Sequence, residues 1–194
     1  MKFAVSIMVA VLATVSVATS HADNVRGLVP EPGEFRRRGL ALGFAVGPSA
    51  VVEFGDLVDV TGLGAGPSLR VGTSAGERLV WFVQGDGMGY LFSAGDDTGV
   101  NQLVTISVVA QTYLRSAFWL KTGLGLANYR QQVRRQVKLD PVEESGGGSI
   151  VTGVGVDVYQ ENAIAIGIEF TLTTVLVPGS VLLQGWAGVG FHIY

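Results

Sequence analysis

Ile164-Ala165-Ile166-Gly167-Ile168-Glu169-Phe170-Thr171-Leu172-Thr173 is the stretch whose reading decides the fold. Bulky apolar residues occupy every second position, and Ala, Gly, Glu and Thr fill the places between. A helix would scatter Ile164, Ile166, Ile168, Phe170 and Leu172 around its circumference, whereas an extended strand lines them on one face. The same period of two recurs in Leu40, Leu42, Phe44 and Val46, in Val104, Ile106 and Val108, and in Leu120, Leu124 and Leu126. It recurs again in Val154, Val156 and Val158 and in Val189, Phe191 and Ile193. Gly62 to Gly72 and Leu79 to Phe92 are strand-like with less distinct faces. The spacing predicts an all-β chain of eight strands, at about residues 38–47, 62–72, 79–92, 103–115, 118–129, 150–159, 163–174 and 181–194.

Size and charge decide which face looks outward. One face carries Ile, Leu, Val and Phe, and the other carries Gly, Ala, Ser and Thr with isolated charges. The lumen of an eight-stranded barrel is only wide enough for side chains to fill it, so small residues suit the interior and the bulky face belongs against lipid. The expected architecture is an eight-stranded antiparallel up-and-down transmembrane β-barrel, with a soluble lipid-binding barrel as the competing arrangement. Composition agrees with the first: 15 % of residues are charged, where a soluble domain has about 25 %. A net charge of -3 lacks the basic excess that nucleic-acid binding needs, so no such partner is expected. The absence of cysteine excludes disulfides, thiolate metal sites and a cysteine nucleophile.

The chain begins with Lys2, an apolar stretch from Phe3 to Val17 and the small-residue site Ser20-His21-Ala22, the pattern of a secretory signal peptide cleaved after Ala22. A retained anchor is the alternative, but the run is shorter than the roughly 20 residues a spanning helix needs. The expected organisation is a signal peptide at 1–22, a periplasmic segment at 23–37 and the barrel at 38–194. The segment ends in Arg36-Arg37-Arg38, which reads as a basic collar against anionic headgroups or as part of a plain leader. Connections alternate between long (Pro48 to Thr61, Ser93 to Gln102, Arg130 to Ser149) and short (Thr73 to Arg78, Ser116 to Ala117, Gln160 to Asn162). The short connection Val175 to Ser180 is the exception. Outer-membrane barrels have long extracellular loops and short periplasmic turns, so the first strand is expected to ascend from the periplasm. Tyr90, Phe92 and Tyr129 then fall near outer ends and Tyr113, Phe118, Trp119, Tyr159, Phe191 and Tyr194 near periplasmic ends, as two interfacial girdles.

With a signal peptide, eight short strands, the segment Leu120-Lys121-Thr122-Gly123-Leu124-Gly125-Leu126 and the ending Gly188-Val189-Gly190-Phe191-His192-Ile193-Tyr194, the chain resembles small outer-membrane β-barrel proteins of the OmpX, OmpW and OmpA-barrel type. The resemblance implies residence in the outer membrane of a Gram-negative bacterium, among outer-membrane lipid and lipopolysaccharide. It also implies insertion by the barrel-assembly machinery, which in that family reads a last strand ending in an aromatic residue. Phe191 and Ile193 are the implied assembly signal, together with Tyr194, which falls one residue out of phase with the series Ala187, Val189, Phe191, Ile193.

No motif for chemistry stands out. The Gly-x-Gly pieces at Gly62 to Gly66, Gly85 to Gly89 and Gly123 to Gly125 are not strand-to-helix phosphate loops. No histidine pair suggests zinc, and His192, the single histidine left after signal cleavage, lies at the periplasmic rim. No catalytic residue, cofactor or metal is therefore expected. Two polar groups are candidates for other roles. Arg70, Arg115, Lys121 and Asp157 point inward near the periplasmic end with Glu169 above them, Lys121 and Asp157 lying at similar height, and buried charges must be paired. Arg130, Arg134, Arg135 and Lys138 open the longest loop, which then turns acidic at Asp140, Glu143 and Glu144, and these cations suit an anionic outer leaflet. The expected function is a non-enzymatic barrel with a structural or surface-interaction role through its extracellular loops. An OmpW-like conduit for small apolar molecules and a periplasmic lipid carrier are the alternatives.

Overall fold

The computed structural model describes Arg37 and residues 39–55, 61–94, 97–115, 117–135, 138–139 and 143–194. The expected signal peptide, and the 23–37 segment apart from Arg37, lie outside the described residues. Among the described residues the strands are β1 (Leu40–Gly55), β2 (Thr61–Ser74), β3 (Leu79–Ala94), β4 (Asp97–Tyr113), β5 (Phe118–Arg135), β6 (Lys138–Leu139), β7 (Glu143–Glu161), β8 (Ile164–Val177) and β9 (Ser180–Ile193). All pairings are antiparallel in the order β4-β3-β2-β1-β9-β8-β7-β5, and β4 against β5 closes the ring. β6 is a two-residue strand on the end of β5. The eight long strands form a closed barrel, which removes open sheet edges.

Register sets the tilt. A row of partners from Leu42 runs through Val71, Val83, Val108, Leu124, Ile150, Thr174 and Leu183 and re-enters β1 at Val52, ten residues further on. A stagger of this size inclines the strands by about 40° to the barrel axis. Arg37 and Tyr194 lie at the same end as the short turns, called the lower end below. One of those turns holds Asn162 at φ 54°, a left-handed conformation that Asn tolerates better than most residues.

The expected faces are present. Leu42, Phe44 and Val46 on β1, Leu124 and Leu126 on β5, and Ile164, Ile166, Ile168 and Phe170 on β8 all face outward, with Leu126 at 74 % exposure. Ala41, Ala45, Ala165, Gly167 and Glu169 face inward. Such an apolar exterior has no stable contact with water and matches the lipid-facing band of a membrane barrel.

Three expectations are corrected. The lumen is not lined only by small residues, because Phe82, Tyr90, Leu103, Tyr113, Trp119 and Trp186 are buried inside. On β3 the pattern reverses, with Phe82, Met88 and Tyr90 inward and Gly85, Gly87 and Gly89 outward, which explains its indistinct faces in the sequence. Large inward side chains lie beside inward glycines: a Cβ on Gly153 would lie 2.7 Å from Lys121 Cε, and one on Gly155 would collide with the Trp119 ring. Lumen volume is therefore shared between neighbouring strands rather than set residue by residue.

The aromatic girdles are the second correction. Tyr90, Tyr113, Trp119, Tyr129 and Tyr194 are buried in the lumen, while Tyr159 and Phe191 face outward and Phe118 is half-buried. The Phe92 side chain lies outside the described residues. Phase along the strand, not position near its end, decides where an aromatic points. Third, most of each expected long loop is strand: β1 runs to Gly55, β3 to Ala94, β4 starts at Asp97, and β5 and β7 stay paired up to Gln131 and Glu143. Polar and glycine-rich composition suggested loops, but a paired backbone satisfies its hydrogen bonds whatever its side chains.

Candidate functional site: stacked layers in the lumen

Period-two alternation brings polar side chains from separate strands to one level. Arg70 (β2), Gln84 and Asp86 (β3), Lys121 (β5), Glu169 (β8) and His192 (β9) are all buried there. Glu169 is the centre: its Oε1 lies 2.5 Å from Arg70 Nη2, and its Oε2 lies 3.0 Å from Lys121 Nζ. Arg70 Nε donates to Gln84 Oε1 at 3.0 Å, and Gln84 Nε2 donates to the Asp86 carboxylate at 2.9 Å. Asp86 also accepts from Thr105 Oγ1 at 3.0 Å. Two cations face two carboxylates, the kind of fully partnered network that a low-dielectric interior demands.

A second group lies below it. Asp157 Oδ1 accepts from Trp119 Nε1 at 3.0 Å, and Oδ2 accepts from Gln160 Nε2 at 2.9 Å and lies 3.6 Å from Arg37 Nη2. The Arg37 guanidinium carbon stands 3.4 Å above the Tyr113 ring centroid and 5.5 Å from that of Tyr194. Tyr113 and Tyr194 are hydrogen-bonded hydroxyl to hydroxyl. His192 joins the two levels, with Arg70 Nη1 3.2 Å from its Nε2 and the Tyr194 hydroxyl 2.8 Å from its Nδ1. A guanidinium only donates, so Nε2 must accept and Nδ1 carries the proton. Both ring nitrogens are thus committed, leaving neither as a general base.

Of the residues expected to cluster, Arg70, Lys121 and Glu169 are in direct contact. Asp157 pairs with Arg37 rather than with Lys121, because the register sets Lys121 opposite Gly153, four residues from Asp157 on β7, and Lys121 reaches past it to Glu169 on β8. Arg115 is not buried with them: it sits half-buried in the β4–β5 turn, its backbone N–H toward the Phe118 carbonyl. Arg37 is not a collar at the headgroups but a buried floor to the lumen. Sequence reasoning missed Gln84, Asp86, His192 and Arg37. The first two were hidden by the reversed β3, whereas His192 was legible as the inward residue between Phe191 and Ile193.

Apolar layers bracket the polar one. Met88, Tyr90, Leu103, Leu182 and Trp186 fill the lumen above it, and Val80, Phe82, Val109 and Trp119 pack at the lower end. Higher up, the outward residues of β5 change from Leu124 and Leu126 to Asn128, Arg130 and Gln132, and Arg130 Nη2 lies 2.5 Å from Glu144 on β7. Arg134 and Arg135 pair by backbone with Leu139 and Lys138 in a projecting hairpin, and the side chains of Arg134, Arg135 and Lys138 lie outside the described residues. At the other end of the barrel, Phe191 and Ile193 face outward on β9 while Tyr194 points inward. Among the described residues no group of acidic or histidine side chains is arranged to hold a metal ion.

No protein-family model and no curated protein sequence matches the chain. Solved structures do. The attachment invasion locus protein Ail of Yersinia pestis superposes with a TM-score of 0.59 at 10 % identity, covering 80 % of this chain and 99 % of that one. Ail in complex with the heparin analogue sucrose octasulfate gives 0.56 at 12 % identity, with the same coverage. Neisserial surface protein A gives 0.54 at 13 % identity, covering 80 % of this chain and 96 % of that one. The shared feature is the fold, and this chain is an eight-stranded barrel of that architecture.

Proposed function

We propose that the protein is an exported, non-enzymatic barrel of a Gram-negative outer membrane that meets anionic partners through the hairpin above β5 and β7. The observation that carries this reading is the change of the β5 exterior from Leu124 and Leu126 to Asn128, Arg130 and Gln132 while its ladder with β7 continues. A strand that leaves the apolar band without leaving the sheet is a rigid stalk. At its tip the chain carries Arg134, Arg135 and Lys138. Arg130 is paired with Glu144 below them.

Lipopolysaccharide phosphates and sulfated sugars share the chemistry that such a tip attracts. Support comes from the similarly folded Ail, which is known in complex with a heparin analogue. The outward Phe191 and Ile193 of the last strand serve the assembly machinery in this reading, and the N-terminal 22 residues serve export. The commitment of both His192 nitrogens supports a role without catalysis. In the test, the full chain in neutral detergent micelles is titrated with sucrose octasulfate and with lipopolysaccharide. At about 1 kcal/mol per cation, Arg134→Ala/Arg135→Ala/Lys138→Ala together should weaken binding about a hundredfold, with the wild-type affinity falling as salt rises. Equal binding by both proteins would overturn the assignment.

A further inference from the structure

Two prolines lie in the middle of strands, where a closed barrel has no free edge to accommodate them. Pro48 on β1 and Pro67 on β2 sit within one hairpin, opposite Ala65 and Val46 respectively. A proline lacks the N–H that a central ladder requires. The cost falls on the outer flanks of the hairpin. The β1–β9 ladder runs through Val46↔Val189 and resumes at Ser49↔Trp186, skipping Gly47 and Pro48. The β2–β3 ladder runs through Ala65↔Gly89 and resumes at Ser68↔Asp86, skipping Gly66 and Pro67. Between them the β1–β2 ladder is continuous from Leu40↔Thr73 to Val52↔Thr61. The β3–β4, β4–β5, β5–β7 and β8–β9 ladders are continuous, and the β7–β8 ladder is interrupted only by the bulge at Val158 near the lower end, where no proline is involved.

One side chain bridges a break. Trp186 Nε1 donates to the Gly47 carbonyl at 3.2 Å, giving that oxygen a partner from inside the lumen. On the other flank, Met88 packs where a side chain at Gly66 would stand, its Sδ 2.6 Å from that Cβ position. The residues behind both breaks, Ala45, Met88 and Trp186, belong to the apolar upper layer rather than to the charged one. Below the second break the ladder resumes at Ser68↔Asp86, and Arg70 on β2 is tied to Gln84 and Glu169, so a parting confined to the breaks meets the apolar layer and the charged layer below it stays closed. Unsatisfied backbone groups are expensive in hydrocarbon, so a wall opens where fewest ladder bonds must break.

We propose that the β1–β2 hairpin is the hinged sector of the barrel wall, released along the two proline-interrupted ladders and held shut by the Trp186 indole on the Gly47 carbonyl. The inference rests on the fold and is independent of the tip cations. Hydrogen exchange of the full chain in detergent micelles tests it. Amides at residues 45–49, 65–68 and 186–189 should exchange roughly tenfold faster than those at 105–109 and 122–126, which lie at a comparable depth in the wall. Trp186→Phe keeps the ring but removes the donor, and should speed exchange at 45–49 and 186–189 while leaving 105–109 unchanged. Pro48→Ala/Pro67→Ala restores two donors and should slow exchange on both flanks. Uniform protection around the wild-type barrel overturns the proposal even if a variant fails to fold. Equal rates in wild type and Trp186→Phe overturn the latch.

Discussion

Glu169 is the common partner of Arg70 and Lys121, the two buried cations at its level of the lumen. Removing it leaves two buried cations with no carboxylate in direct contact, because Asp86 is linked to Arg70 only through Gln84. Breaking a buried pair in this way costs about 3–5 kcal/mol, far more than the pair contributes over a hydrophobic replacement. Glu169→Ala should therefore lower the unfolding free energy by that amount, read from the urea midpoint and slope for loss of the heat-modifiable folded band. Glu77→Ala, at an exposed position in the β2–β3 turn, should change the unfolding free energy by no more than about 0.5 kcal/mol. Similar midpoints for the two variants would show that the Glu169 carboxylate is reached by water after all.

Between strands, the rule is that a large inward residue needs a small neighbour across the ladder. Trp119 on β5 is the direct partner of Gly155 on β7, and the indole occupies the place of the missing side chain. Gly155→Val should destabilise the barrel by about 1–3 kcal/mol through overpacking, and Gly155→Val/Trp119→Ala should recover part of the loss. Gly87 offers the contrast. It faces outward on β3 with open space where a side chain would go, so Gly87→Val should fold normally. A recovery that does not appear in the double variant would place the strain elsewhere.

The lumen as a whole is a stack, with the Arg70–Glu169–Lys121 layer between an apolar group around Met88, Leu103 and Trp186 above and a lower level where apolar side chains surround the Arg37–Asp157 pair. Each layer closes the path by a different means, one excluding water and the other filling the bore with paired groups. In planar bilayers the wild-type chain should show no steady ionic conductance of the kind a water-filled porin gives. A stable open channel in the wild type would contradict the stack. The closed ring also accounts for the projecting strands, since a strand with a neighbour on each side gains by remaining paired beyond the bilayer. The resulting stalk continues the sheet at least to Gln131 and Glu143.

The sequence by itself determined the strand count, the antiparallel barrel and the outward face of most strands, because a period of two survives in any extended chain whatever its surroundings. It also placed Arg70, Lys121 and Glu169 on the inward side, since phase alone decides that. Pairing was beyond its reach: Lys121 meets Glu169 and not Asp157 because ring closure and a ten-residue stagger set which inward residues share a level. Lumen aromatics such as Trp119 and Tyr90 were equally hidden, for Trp119 depends on Gly155 and Tyr90 on Gly62 and Gly64, glycines contributed by neighbouring strands. Strand length came from tertiary structure too, because a backbone group's partner lies on another strand and local composition says nothing about whether that strand continues.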